Sequence, residues 1–402
     1  IIASRNDLFR KDNSNSWRYT FGPAFPPDRS VPFSRLLEPG PPARNGFRFI
    51  IIADTGEGDR SQYGLLPLLY TLRPRFMIII GDLANPAGRI DEKGDRNKDD
   101  YLAGFFEPYR NFGIPIWSLP GNHEYYGHGQ GREYHETFCT KKYALRWSDH
   151  GLRQVTQPGT YWELKEADSP VVVIGLDTGK KGNLDGHKGF LGIGGKMPAD
   201  HEQYRWLEER LTLSDREKKN TLVLFHMPAL NKGKKSEKHM NTLYRILASH
   251  QCVKNIICGH EHNFQEYSAD VVGRFLEQEF GCQNPILGQK HVVSGGGGSA
   301  LHATNFKPGR YPVSRIFPDA DQWKAYLREG AAILQGSPLA KNFIGKIVMM
   351  VNRAYKGDGD LTRFLSFLVV DVAAKDATPL DEPYKLRPVW MEDLQRLYPP
   401  QM

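Results

Sequence analysis

A chain of 402 residues is long enough for one large catalytic domain with embellishments, or for two ordinary domains. Its 40% hydrophobic and 25% charged residues match a soluble globular protein, and no run approaches the ~18 apolar residues of a membrane-spanning helix. The formal charge of +7 favours an anionic partner (a phosphorylated substrate, nucleic acid or an acidic membrane surface) without choosing among them.

In chain order, the opening IIASRNDLFRKD has no apolar segment of the kind a signal peptide carries, and a cytoplasmic location is the expectation. Residues 1–45 are rich in Pro, Arg and Ser, as in FGPAFPPDRSVPF, and read as an irregular arm on the surface. From Phe47 the pattern changes. Short apolar runs follow at Phe47–Ala53, Phe76–Ile80, Ile114–Leu119, Val171–Leu176, Thr221–Phe225, Asn255–Cys258 and His291–Ser294. Each is short and rich in β-branched or aromatic residues, which predicts a strand buried on both faces. Between them, DHEQYRWLEERLTL puts Tyr204, Leu207 and Leu211 on one helical face, with Asp200 and Gln203 in the spacing of a capping box. Strands alternating with helices predict an α/β sheet, and the looser spacing after Ala144 suggests a second, partly antiparallel one. Cys139, Cys252, Cys258 and Cys282 form no C-x-x-C pair and read as reduced core residues.

The organisation that results is an arm at 1–45, a core at 46–301 and a helical insertion at 302–360. A core strand returns at 361–375, within FLSFLVVDV, and a surface tail occupies 376–402.

The chemistry sits where the strands stop. The first run ends in Asp54, the second in Gly81-Asp82, and the third runs into Gly121-Asn122-His123-Glu124. Val171–Leu176 is followed by Asp177 with no recognisable motif; the next two runs end in His226 and in Gly259-His260-Glu261-His262. Sites in open α/β sheets form outside the carboxyl ends of strands, so residues more than 200 positions apart can converge there. Phosphate esters resist anionic nucleophiles. Two metal ions about 3.5–4 Å apart neutralise the phosphate oxygens and acidify a water. Such a pair needs a carboxylate able to bridge it, with imidazoles and hard oxygen donors around it.

The ordered set of D-x-G, GD, GNHE, a lone His after a strand and GHxH resembles the calcineurin-like metallophosphoesterase superfamily over roughly Phe47 to Ala300. The resemblance implies a four-layer α/β/β/α sandwich of two mixed sheets flanked by helices, forming a single catalytic domain. It implies two divalent ions, of Mn, Fe or Zn, with Asp82 bridging them. Asn122, His226 and His260 complete one site, and Asp54 and His262 belong to the other. A metal-bound hydroxide attacks a phosphomonoester or phosphodiester, while His123 gives a proton to the leaving group or stabilises charge. Glu124 is expected to orient His123.

One departure matters. The commonest first motif is D-x-H, whereas this chain has Asp54-Thr55-Gly56. Purple acid phosphatases share D-x-G but carry a tyrosine ligand three residues after the GD aspartate, where this chain has Asn85. Asn85, Glu57, Asp59 or water are the candidates to fill that thinner site, or it binds weakly. Lys232, Lys234 and Lys235, just after His226, are candidate contacts for a phosphorylated group, or simply a solvated basic loop. The expected substrate is a small phosphorylated metabolite, a nucleotide or a lipid headgroup. No aromatic-and-basic nucleic-acid module stands out. A non-catalytic scaffold or membrane-associated partner keeping the same fold is the competing reading.

Overall fold

A computed structural model describes residues 9–11, 17–19, 29–41, 43–56, 60–84, 101–126, 131–179, 201–231, 240–282, 289–298, 311–319, 321–322, 365–374 and 383–390. Its strands are β1 (Phe9–Lys11), β2 (Trp17–Tyr19), β3 (Ser30–Pro32), β4 (Phe47–Ile52), β5 (Phe76–Ile80), β6 (Ile116–Leu119), β7 (Trp162–Lys165) and β8 (Val171–Gly175). They continue with β9 (Asn220–Phe225), β10 (Val253–Cys258), β11 (Phe264–Tyr267), β12 (Lys290–Ser294), β13 (Arg315–Phe317), β14 (Ser366–Val372) and β15 (Tyr384–Trp390). The helices are α1 (Ser34–Leu37), α2 (Arg60–Thr71), α3 (His123–Tyr126), α4 (Arg132–Phe138), α5 (Ala144–Asp149), α6 (His201–Arg216), α7 (Asn241–Ala248) and α8 (Ala269–Phe280).

Apart from the β1–β2 pair, the strands form two mixed sheets. Five run in the order β15-β14-β4-β5-β6, and eight in the order β13-β11-β12-β10-β9-β8-β7-β3. Within the first sheet β4, β5 and β6 are parallel; within the second so are β8, β9, β10 and β12. The apolar runs are continuous because each strand is covered twice. In β4, Phe49 and Ile51 enter the core between the sheets, while Ile50 and Ile52 pack beneath the helix layer with Leu65 and Leu69 of α2. In β9, Leu222 and Leu224 meet the same inter-sheet core, while Val223 and Phe225 lie with Leu207 of α6 and Leu243 of α7. Each such side chain contributes about 1.5–3 kcal/mol by leaving water. The layers are therefore helix, sheet, sheet, helix. Tyr204, Leu207 and Leu211 do share the buried face of α6, and the four cysteines are free thiols.

The structure redraws the edges of the sequence reading. Part of the arm is not surface chain: β3 pairs in parallel with β7, and Phe33, Leu36 and Leu37 after it are buried in the inter-sheet core. The tail contains β15, paired antiparallel with β14 and ending in Trp390, which lies against Phe317 and Phe264. Its alternation of Tyr384, Leu386 and Trp390 with Lys385 and Arg387 is the period-two pattern of a half-covered strand, and Pro388 is tolerated because β15 is an edge. Within the stretch read as helical, Arg315–Phe317 is a strand paired with β11. The two helices expected there, WKAYLREGAAIL and LAKNFIGKIVMMVNRAYKG, fall within residues 323–364, outside the described residues.

Candidate metal centre

Four parallel strands, two from each sheet, deliver their carboxyl ends to one place. Asp54 follows β4, Asp82 follows β5, His226 follows β9, and His260 and His262 follow β10. Asn122 and His123 come from the turn after β6, where α3 begins. Asp54, Asp82 and His260 have left-handed backbones, with φ of 59°, 53° and 71°. For a residue with a Cβ this costs on the order of 1–3 kcal/mol, and such strain collects at functional sites. β4, β5 and β10 thus break their regular geometry at a residue they present.

Two donor groups result, overlapping in Asp82. Ligand atoms of Asp82, His226 and His260 lie within 4.8 Å of one another, as do those of Asp54, Asp82 and His262. Asn122 Oδ1 sits 3.0 Å from His226 Nε2 and 2.8 Å from His260 Nδ1, which adds it to the first group. His226 donates its Nδ1–H to the Ile80 carbonyl at 2.9 Å, so its Nε2 faces the cluster. Asp82 Oδ2 lies 3.3 Å from that Nε2, and Asp54 Oδ1 lies 3.4 Å from His262 Nε2. Asp54 Oδ2 accepts the His260 N–H, whereas its Oδ1 is buried and accepts no hydrogen bond.

The electrostatics ask for a cation. Burial raises the pKa of Asp82, but the His226 imidazole outweighs it and holds the carboxyl below its usual range. Burial likewise opposes charge on His226, yet the Asp82 and Asp54 carboxylates override it and push its pKa up. A proton on His226 thereby balances charge that a divalent ion would balance better. With the bare Asp54 oxygen, and with carboxylate, amide oxygen and imidazole as the donors, the residues fit such ions.

His123 stands at the edge of this cluster. Its backbone N–H donates to Asp82 Oδ1 at 3.0 Å, and its Nε2 lies 3.8 Å from Asp82 Oδ2. Burial pushes its pKa down, against the pull of Asp82.

Glu124 departs from its expected role. Its carboxylate does not turn to His123. Oε1 accepts the backbone N–H groups of Leu83 (2.9 Å) and Ala84 (3.3 Å), and Oε2 those of Asp82 (3.0 Å) and Gly121 (2.6 Å). Glu124 therefore clamps the β5 loop to the β6 loop and sets the spacing of Asp82 and Asn122. Burial, then the Asp82 charge, raises its pKa to about 7 against the hydrogen bonds it accepts.

Gly56 has a cause as well. A Cβ there would overlap the main chain of Leu83 and Ala84, because the loop after β4 lies directly on the loop after β5, with Gly56 N–H donating to the Asp82 carbonyl at 3.0 Å. The missing histidine is thus a different packing of two loops, not a truncated ligand. The glycine run after β12 is also explained by packing. Gly295 and Gly297 donate to the carbonyls of Asn263 and Ala53, and Gly296 accepts from Ser366. Asn85, Lys232, Lys234 and Lys235, like Glu57, Asp59 and Asp200, lie outside the described residues. Gln203, read as a cap with Asp200, also holds the backbone of Asp177 on both sides.

Two facing mixed sheets, converging strand ends and a carboxylate shared by two donor groups define a metal-binding phosphoesterase fold. Residues 47–264 match the family described as calcineurin-like phosphoesterase, and the chain belongs to that family. No curated protein is found to match the sequence. Among solved structures it is similar to GAP50, titled the anchor in the inner membrane complex of Plasmodium, at 11% identity over 87% of this chain and 85% of that one, with a TM-score of 0.51. It is also similar to a dimetal phosphatase from Danio rerio, at 16% identity over 62% and 87% with a TM-score of 0.42. A third, TT1561 of Thermus thermophilus, shares 15% identity over 62% and 90%, with a TM-score of 0.37. Family and donor set together support the use of divalent metal. No helix among the described residues is long and apolar enough to cross a membrane.

Proposed function

We propose that the protein is a metal-dependent phosphoesterase that hydrolyses a phosphomonoester or phosphodiester of a small metabolite, nucleotide or lipid headgroup. The observation that carries this reading is the pair of donor groups sharing Asp82, with a buried Asp54 oxygen left bare of hydrogen bonds. Asn122, His226 and His260 would hold one ion, Asp54 and His262 the other, and Asp82 both. Divalent ions bound there neutralise phosphate oxygens and acidify water. The chain's own residues do the rest. Ile80 fixes the tautomer of His226, Glu124 fixes the loop spacing, and His123, partly exposed at the rim, gives a proton or hydrogen bond to the oxygen that leaves.

A second reading, a scaffold or membrane-associated partner that keeps the fold without turnover, draws on Gly56 and on the likeness to a protein titled an anchor. One experiment separates them: bound metal is quantified, and turnover of a chromogenic aryl phosphate monoester and diester is measured with Mn, Fe or Zn. Turnover is expected, and His123→Ala should abolish it with metal retained. Stoichiometric metal binding with no turnover under any ion would leave the scaffold reading standing.

A further inference from the structure

The loop after β8 carries none of the metal-ligand candidates, yet it touches the loops of several. Asp177 is buried, and its Oδ2 accepts the phenolic O–H of Tyr125, two residues beyond His123 in α3. Its Oδ1 accepts the N–H of Gly179 at 3.2 Å, closing a tight turn. The backbone of Asp177 is gripped on both sides by the amide of Gln203 in α6: the Asp177 N–H donates to Oε1 at 2.8 Å, and Nε2–H donates to the Asp177 carbonyl at 3.2 Å. Gly179 lies so close to the Gly121 carbonyl and the Tyr125 ring that a Cβ would overlap them. Thr178 Oγ1 accepts the N–H of Met227, the residue after His226, at 3.0 Å.

The topology gives this turn its meaning. Asn122 and His123 belong to the five-stranded sheet and His226 to the eight-stranded one, so no ladder hydrogen bond holds the Asn122–His226 spacing of 3.0 Å. Asp177–Gly179 spans that gap. It is anchored in α6, bonded through Tyr125 to the turn that presents Asn122 and His123, and bonded through Thr178 to the loop that presents His226. We infer that Asp177 and Tyr125 are positioning residues, holding the Asn122–His123 turn in register with His226. The inference rests on the metallophosphoesterase reading for its catalytic consequence, but its metal-binding consequence stands without turnover.

The test uses the full chain as Tyr125→Phe, which removes one oxygen, together with Asp177→Asn, Asp177→Ala and the Tyr125→Phe/Asp177→Ala double variant. Cobalt(II) affinity and its visible absorption are measured against a competing chelator, alongside kcat and KM for the aryl phosphate. In Tyr125→Phe we expect cobalt affinity lowered about 3–10-fold and its absorption altered, because Asn122 is less well held, with kcat down about tenfold and KM unchanged. Asp177→Asn, which can still accept the phenol hydrogen bond, should recover most of the loss seen in Asp177→Ala. The double variant should be no worse than Asp177→Ala. If Tyr125→Phe does not fold, the comparison of Asp177→Asn with Asp177→Ala decides. Wild-type cobalt affinity, spectrum and kcat in the variants overturn the inference. A wild-type protein that binds cobalt without turnover removes the phosphoesterase reading and leaves affinity and spectrum to decide this one.

Discussion

Asp54, Asp82, Asn122, His226, His260 and His262 are polar residues set where an apolar run stops, and they were legible for that reason: nothing in a buried strand asks for a carboxylate or an imidazole at its end. Glu124 was legible as a member of the motif but not in its role, since its partners are backbone N–H groups, three of them in a loop about 40 positions earlier and the fourth that of Gly121. The four hydrogen bonds make a prediction that separates a loop clamp from an orienter of His123. Glu124→Gln offers one oxygen where two are used, and Glu124→Ala offers none. Each buried N–H left without a partner costs ~1–3 kcal/mol. We expect Glu124→Ala to lose on the order of 3–5 kcal/mol in urea unfolding, with metal binding weakened, and Glu124→Gln to lose a smaller but clear amount. An orienter would lower kcat in both variants and leave the unfolding midpoint where it was.

At the scale of elements, strands β4, β5, β6, β8, β9, β10, β12 and β14 coincide with the apolar runs, because burial on both faces writes an uninterrupted signal. The short strands towards the two margins of the eight-stranded sheet left almost none. β3 (SVP), β7 (WELK), β11 (FQEY) and β13 (RIF) are three or four residues long and mix polar with apolar side chains. A buried polar residue inside β12 gives an element-scale prediction. His291 is fully buried, its Nε2 2.8 Å from the Tyr244 hydroxyl, with Tyr267 and Cys258 the other titratable groups against it. Burial pushes its pKa down to about 3. The unfolded chain takes up this proton below pH ~6.5, whereas the folded one does not until about 3, so acid favours unfolding across that window. Relative to His291→Gln, the wild-type protein should therefore lose stability as the pH falls from 6.5 towards 3, by at most ~1.4 kcal/mol per unit. Denaturant curves at pH 7, 6, 5 and 4 measure it, and parallel trends for the two proteins would refute it.

For the whole molecule, the family match ends at 264, but the fold does not. β14 lies antiparallel to β4, the strand that carries Asp54, and Ser366 donates its N–H to the Gly296 carbonyl beside the same strand end. β15 then closes the sheet. Trp390 stacks on Phe317 with centroids 4.4 Å apart and meets Phe264 edge-on at 4.8 Å, so one side chain joins the last described strand of the five-stranded sheet to two strands of the other. The Tyr384 hydroxyl, bonded to Asn255 of β10, makes a second tie between the sheets. None of this could be read from the donor motifs, which carry the signal for chemistry and not for closure. Trp390→Ala should cost about 3–5 kcal/mol, as removal of a large buried aromatic does elsewhere. Because the described ring contacts of Trp390 are with Phe264, Phe317 and Arg315, and not with the six metal-ligand residues, metal affinity of the folded variant should equal that of the wild type. Thermal unfolding with and without added metal checks both halves: a large fall in midpoint with an unchanged metal-induced rise fits a closing strand. An unchanged midpoint would mean that the C-terminal strand decorates the sandwich and does not hold it shut.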